Sequence, residues 1–272
     1  MKKLSLLAAL ALLLTACGGP PPHPGALAGT VNTDGSTSMA DVMAVLQETF
    51  RELEPGVTVN FSGTGSGAGV EAVLTGAADI GLSSRPLKEA ETAQGAVAHV
   101  VALDGVAVVV NPANPVSGLR LDQLAGVFTG RIVNWSALGG PDAPIAVYGR
   151  EAGSGTRGAF EELLGVTDRC AYTNEYGSSG DVVGNVSSNP NAIGYTSLAA
   201  VGDAVSALTV DGAACTEETV RNGTYPIQRP FLMVTREGVP LSAAAQAFLD
   251  YARSGAVSAY IARAGAVAPP RS

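Results

Sequence analysis

Arg150, Ser154 and Thr156 lie in "GREAGSGTRGAFEELLG", an arginine followed by a glycine-hydroxyl turn and then a helical pattern. Two other stretches share that build, "DGSTSMADVM" from Asp34 and "GTGSGAGVEAVL" from Gly63. A helix N-terminus leaves backbone N–H groups without internal partners and carries a partial positive charge. Glycine lets another group approach the backbone, and serine and threonine add hydroxyl donors. One such turn is ordinary helix capping. Three, one of them beside an arginine, point to an anion site. A fourth stretch, "DIGLSSRPL", puts Ser83, Ser84 and Arg85 at a strand end, where open α/β sheets hold ligands.

Convergent N–H and O–H donors with one planar guanidinium suit a compact tetrahedral oxyanion. Nucleotide binding is poorly served: there is no G-x-x-x-x-G-K-S/T, and "GTGSGAG" lacks an acidic ribose partner at the expected distance. A serine nucleophile needs an adjacent base. The two histidines, His23 and His99, lie far from these motifs in sequence, so no catalytic residue is assigned. Two downstream cysteines and one histidine make a poor metal ligand set, and neither metal nor cofactor is expected.

The elements that must hold these turns alternate. Val42, Met43, Leu46 and Phe50 recur at helical spacing after a Thr37 or Ser38 cap. "GVTVNFSGTG" alternates as a strand, and a helix follows through Val70, Val73 and Leu74. "AVAHVVALDGVAVVVN" reads as one or two apolar strands with His99 packed among them. "DQLAGVF", "GAFEELLG" and segments of "SAAAQAFLDYARSGAVSAYIARAG" read as helices; "IAVYGR", "AIGYTSL" and "PFLMVTR" read as strands. Such alternation predicts an α/β fold with mostly parallel sheets.

Residues 1–16, "MKKLSLLAALALLLTA", carry two lysines and an apolar run too short to span a bilayer, which is a secretory signal. Its end, "LLTAC", resembles a bacterial lipoprotein signal, with Cys17 as the lipidated first mature residue. Residues 17–28 read as an extended Pro/Gly tether. The chain is therefore expected outside the cytoplasm, lipid-anchored to a membrane. The net charge of -8, made about -10 by removing Lys2 and Lys3, excludes nucleic acid as a natural partner. In an oxidising compartment a Cys170–Cys215 disulfide is the economical expectation, with two separate buried thiols as the alternative.

In order along the chain, "DGSTS", "GTGSGAG", "ADIGLSSRPL", "FTGRIVNWSALGG", "GREAGSGTRGAF" and "NPNAIGYTSL" resemble the phosphate-binding proteins of Pst-type ABC transporters (PstS-like solute-binding proteins). The resemblance runs from about residue 29 to about residue 265. It implies a two-lobed periplasmic-binding-protein fold (type II) with the ligand cleft between lobes joined by two crossover strands. Lobe one would be 28–104 plus 227–272, and lobe two 105–226, crossing near "ALDGVAV" and "TYPIQRP". It further implies a monomer that captures inorganic phosphate and delivers it to membrane-embedded permease subunits. Sulfate or molybdate as ligand, or a sensing role, is the alternative. Carried over by motif, Ser36, Thr37, Ser38 and Ser66 serve from lobe one. Arg150, Ser154, Gly155 and Thr156 serve from lobe two. Trp135 is expected to pack.

One departure matters. Many members of that family have an aspartate where this chain has Ser84, and that carboxylate accepts the proton of hydrogen phosphate. Ser84 and Arg85 stand there instead. Arg85 is expected to touch the ligand, the alternative being an ion pair with Asp34, Asp79, Glu151 or Asp181.

Overall fold

The structure is a computed structural model that describes residues 27–269. The signal, Cys17, His23 and most of the tether lie outside the described residues. Among the described residues, no helix is long and apolar enough to cross a membrane.

The chain opens with β1 (Gly29–Gly35), α1 (Ala40–Leu53), β2 (Val57–Ser62), α2 (Ser66–Thr75), β3 (Ile80–Ser83), α3 (Glu89–Ala93) and β4 (Ala96–Val110). It continues with β5 (Gly118–Leu119), α4 (Leu121–Phe128), β6 (Ala146–Arg150), α5 (Gly155–Leu163), β7 (Asn174–Tyr176) and α6 (Ser179–Ser188). Then come β8 (Ala192–Ser197), β9 (Ser206–Ala207), β10 (Thr209–Val210) and α7 (Glu217–Arg221). It returns through β11 (Gln228–Arg236), α8 (Ala243–Arg253) and α9 (Ser258–Arg263).

The hydrophobic core is divided. One cluster draws on Val31, Leu46, Ile80, Phe231 and Phe248. A second draws on Val108, Phe128, Trp135, Phe160 and Tyr195, and a small third on Val70, Ala96, Leu232 and Val234. Val42, Met43, Leu46 and Phe50 of α1 are all buried, as their spacing requires. Each such side chain contributes about 1.5–3 kcal/mol through burial. Trp135 packs in the second core, and its indole N–H donates to the Asn191 carbonyl at 3.0 Å.

β4 joins the two larger cores. Residues 96–105 pair antiparallel with β11, and 106–110 pair antiparallel with β8. The second crossing runs just before β11, where Val106 N–H donates to the Ile227 carbonyl at 2.8 Å. Parallel pairing holds away from these crossings, in β1 with β2 and β3 and in β6 with β7 and β8. β11 returns antiparallel against β3 as well. The mostly parallel expectation thus fails where the chain crosses between lobes. Strands running out and back between lobes must oppose each other. His99 of β4 bonds Thr235 of β11 at 2.8 Å, a packed strand residue.

Candidate functional site

The site is assembled from the ends of β1, β3 and β6 and the starts of α2, α5 and α6. β1 stops at Gly35, whose φ of +141° and close approach to the Leu82 carbonyl leave no room for a Cβ. Ser36 then caps a 3-10 turn over Thr37–Met39, its hydroxyl accepting from Ser38 N–H at 3.3 Å. Ser66 begins α2 fully buried, and its hydroxyl accepts from Ser84 N–H at 3.1 Å. Ser154 caps α5 by accepting from Arg157 N–H at 3.3 Å, which puts Gly155 and Thr156 in its first turn.

Arg150 occupies the centre and is only 2% exposed. Its Nη1 donates to Ser179 Oγ at 3.1 Å; its Nη2 donates to Thr37 Oγ1 at 3.1 Å and to the Gly177 carbonyl at 2.7 Å. Its Nε donates to the Tyr176 carbonyl. Every one of these acceptors is neutral, and among the described residues Arg150 makes no ion pair. Burial pushes its guanidinium down to about 10, and the nearby charge of Arg229 pushes the same way. An unneutralised buried cation ringed by hydroxyls is suited to an anionic ligand.

The lobes touch here. Ser38 Oγ lies 2.7 Å from Thr156 Oγ1 and 3.1 Å from Ser179 Oγ. Gly67 N–H donates to the Gly153 carbonyl at 3.1 Å. A Cβ on Gly155 would stand 2.1 Å from Ser66 Oγ and 2.7 Å from Ser84 Oγ. The structure therefore brings together Ser36, Thr37, Ser38, Ser66, Ser84, Arg150, Gly155 and Thr156, with Ser154 capping the same helix.

The guanidinium of Arg85 goes elsewhere. Ser83 Oγ donates to the Arg85 carbonyl and accepts from Arg85 N–H, turning the chain away. Arg85 then grips Glu91 through both terminal nitrogens, at 2.9 and 2.6 Å. Its partner is none of the four acids considered from sequence. Glu91's carboxyl lies below its ordinary value: burial opposes this but is outweighed by the hydrogen bonds from Arg85 and Lys88 N–H and their charges.

Two residues of this region escape sequence reading. Ser179 opens α6, whose Gly-, Asn- and Ser-rich sequence has weak helix propensity. The available signal was the Ser178-x-x-Asp181 capping box, which the structure contains. The second is Arg229 of β11, 3% exposed. Its Nε donates to Asp104 Oδ2 at 2.9 Å, and its Nη1 donates to the Ser84 carbonyl and hydroxyl at 3.2 and 3.1 Å. Its Nη2 lies 2.7 Å from the same carboxylate oxygen but is misaligned for donation and has no hydrogen-bond acceptor. Asp104 also accepts from Ser197 Oγ and Leu198 N–H. Burial pushes Asp104 up and Arg229 down, each opposed by the other's charge.

The expected disulfide is corrected: Cys170 and Cys215 are free thiols. Cys215 is packed beside Gly105, Val220 and the Tyr225 hydroxyl, whereas Cys170 neighbours Tyr172 and Glu161. Distinct packing environments hold the two apart. Burial pushes Cys170 up to about 11 and Cys215 up to about 12, so both remain protonated at neutral pH. No group of three or more potential metal ligands occurs among the described residues.

Two α/β lobes, joined by crossing strands and meeting at converging helix N-termini, define a solute-binding protein. A family model described as a PBP superfamily domain matches residues 20–255. The chain is 34% identical to the phosphate-binding protein PstS of Bacillus subtilis, over 83% of this chain and 76% of that protein. It is 30% identical to PstS of Pseudomonas aeruginosa, over 76% of this chain and 72% of that one. The chain belongs to this PstS family within the PBP superfamily. A Clostridium perfringens substrate-binding protein assigned to a phosphate ABC transporter, solved with phosphate, superposes with a TM-score of 0.86. It is 38% identical, and the match covers 89% of this chain and 100% of that one. A Vibrio cholerae ABC-type phosphate transport receptor gives 0.73 at 35% identity, covering 88% and 100%.

Proposed function

We propose that this chain is an extracytoplasmic solute-binding protein that captures inorganic phosphate between its lobes and delivers it to an ABC permease. It is not an enzyme. The observation that carries the reading is Arg150, buried and charged with only neutral partners. Phosphate oxygens would take the guanidinium and the hydroxyls that now bond one another across the lobes. The binding set is Ser36, Thr37, Ser38, Ser66 and Ser84 with Arg150, Ser154, Gly155, Thr156 and Ser179. Arg85 supports the Ser84 turn from outside, through Glu91. Residues 28–104 with 227–272 form one jaw and 105–226 the other. A ligand that fits the closed pair better than the open one drives closure. Cys17 would carry the lipid that tethers a monomer near its permease.

The deciding experiment is calorimetric titration of the chain lacking residues 1–17, stripped of bound ligand. One-to-one phosphate binding is expected; no heat and no competition would refute the reading. Gly155→Ala should weaken phosphate binding about 5- to 150-fold, the ~1–3 kcal/mol of an overpacked contact. Unchanged affinity in the same titration would mean that the lobes do not close to the distance seen here. Affinity should also fall at alkaline pH. Arg150's charge is fully present through pH 8 and is lost as pH rises through about 10, with about tenfold weaker binding per unit beyond. A flat profile from pH 8.5 to 11 would contradict that.

A further inference from the structure

Glu161 of α5 is 2% exposed, and a carboxylate so buried needs partners. Its Oε1 accepts from Arg157 Nε at 2.8 Å and from the Tyr172 hydroxyl at 3.0 Å; its Oε2 accepts from Asp168 N–H at 2.8 Å. A phenol has one proton. Tyr172 gives its proton to Glu161, so its oxygen accepts from the Tyr195 hydroxyl 3.0 Å away. Tyr195 in turn accepts from Arg150 N–H at 3.2 Å. The bonds run one way, from the main chain of Arg150 through two phenols to a buried carboxylate. Burial pushes both phenols above their ordinary value, so they keep these protons at neutral pH.

The same carboxylate reaches Arg150 by a second route. Arg157, held at Nε by Glu161, donates from Nη1 to the Arg150 carbonyl at 3.1 Å. Its guanidinium lies over the Tyr172 ring, 4.9 Å from the centroid. That ring packs against Gly149, leaving no room there for a Cβ. These contacts matter because β6 leaves the β8 ladder before Arg150. Registered pairs with β8 stop at Val147 and Ile193, while those with β7 continue to Arg150 and Tyr176. On the β8 side the N–H of Arg150 is therefore held by a side chain and not by a strand. A shift of this main chain is carried to the guanidinium at its end.

We propose that Glu161 is a positioning residue for phosphate capture: through the Tyr172–Tyr195 relay and Arg157 it fixes the main chain from which Arg150 projects into the site. The inference rests on the phosphate-binding reading and concerns how that site's guanidinium is aimed.

The test is titration of phosphate at 25 °C into stripped wild type, Tyr172→Phe, Tyr195→Phe and the double variant, beside melts of each without ligand. Phenylalanine removes only the hydroxyl and keeps the ring packing, including the Phe160–Tyr195 stack with centroids 4.1 Å apart. Each single variant, folded at 25 °C, should bind phosphate about 3- to 30-fold more weakly than wild type. The double variant should fall within about twofold of the weaker single, because both substitutions break one path. Variants that melt lower but bind phosphate as wild type does would show that the relay only stabilises its lobe. Single effects that multiply would show two independent contacts. Either result overturns the proposal and leaves the phosphate reading standing; absence of phosphate binding by wild type overturns both. Glu161→Gln keeps the volume but turns an amide donor towards a donor. It should weaken phosphate at least as much as Tyr172→Phe, and it replaces Tyr195→Phe in the cycle if that variant does not fold.

Discussion

Arg150→Met is expected to weaken phosphate binding by roughly 10²- to 10⁴-fold, about 3–5 kcal/mol, while leaving the ligand-free protein at least as heat-stable as wild type. The loss follows from removing a buried charge at the lobe junction that, among the described residues, no acid neutralises. The unchanged or raised stability follows from linkage. Arg150's folded value is depressed from 12.5 to about 10. Between those values the unfolded chain holds a proton that the folded chain lacks, so stability rises with pH there. At every pH below about 10 the buried charge therefore costs stability, roughly 3 kcal/mol by the size of the shift. Methionine fills much of the volume without that cost. Thermal melts with and without phosphate, beside calorimetry, read both effects. Wild type should gain melting temperature with ligand, and the variant should gain far less at the same ligand concentration. Unaltered affinity would remove Arg150 from the site.

Asp104→Ala should destabilise the fold by about 3–5 kcal/mol, because it strands a buried cation between the lobes. Asp104 is fully buried and is opposite Arg229 in the β4–β11 register. Removing it also orphans Ser197 Oγ and Leu198 N–H. For a chain of this size, a melting temperature lower by roughly 6–20 °C is expected. The double variant Asp104→Leu with Arg229→Met should recover much of the loss, since a packed apolar pair replaces a desolvated ionic one. A single variant that melts with wild type would show that the pair contributes nothing to stability. The same pair reaches Ser84 on one lobe through Arg229 and Leu198 on the other through Asp104, so it ties the crossing strands to the site.

Much of the site is legible because its rules are local. A helix start needs a cap, an oxyanion needs donors, and both needs show in a few consecutive residues. Glycine-hydroxyl turns before helices could be read from spacing, although the cap of the turn before α1 is Ser36 and neither of the expected Thr37 or Ser38. The strand–helix alternation that gives an α/β fold is equally local, whereas the division into two lobes is what the family resemblance implies. The α6 N-terminus was lost because the residues that frame it, "SSGDVVGNVSS", form helix poorly on their own. Tertiary contact sustains it, with Val182 and Val186 buried in the second core.

The sequence by itself determined the α/β alternation and the donor-rich turns. Only the tertiary structure decided which charges face them. Arg85 and Arg229 look alike in sequence, each just before a proline, in "SSRPL" and "IQRPF". Ser83 turns Arg85 out towards Glu91. The β4–β11 register turns Arg229 in, opposite Asp104 and onto Ser84 across 145 residues of chain. Cys170 and Cys215 met the same limit, since compartment suggests a bond but packing sets the distance. Capping and periodicity act within a turn or two of chain. The partner of a buried charge is fixed by strand register and lobe contact, which no short stretch encodes.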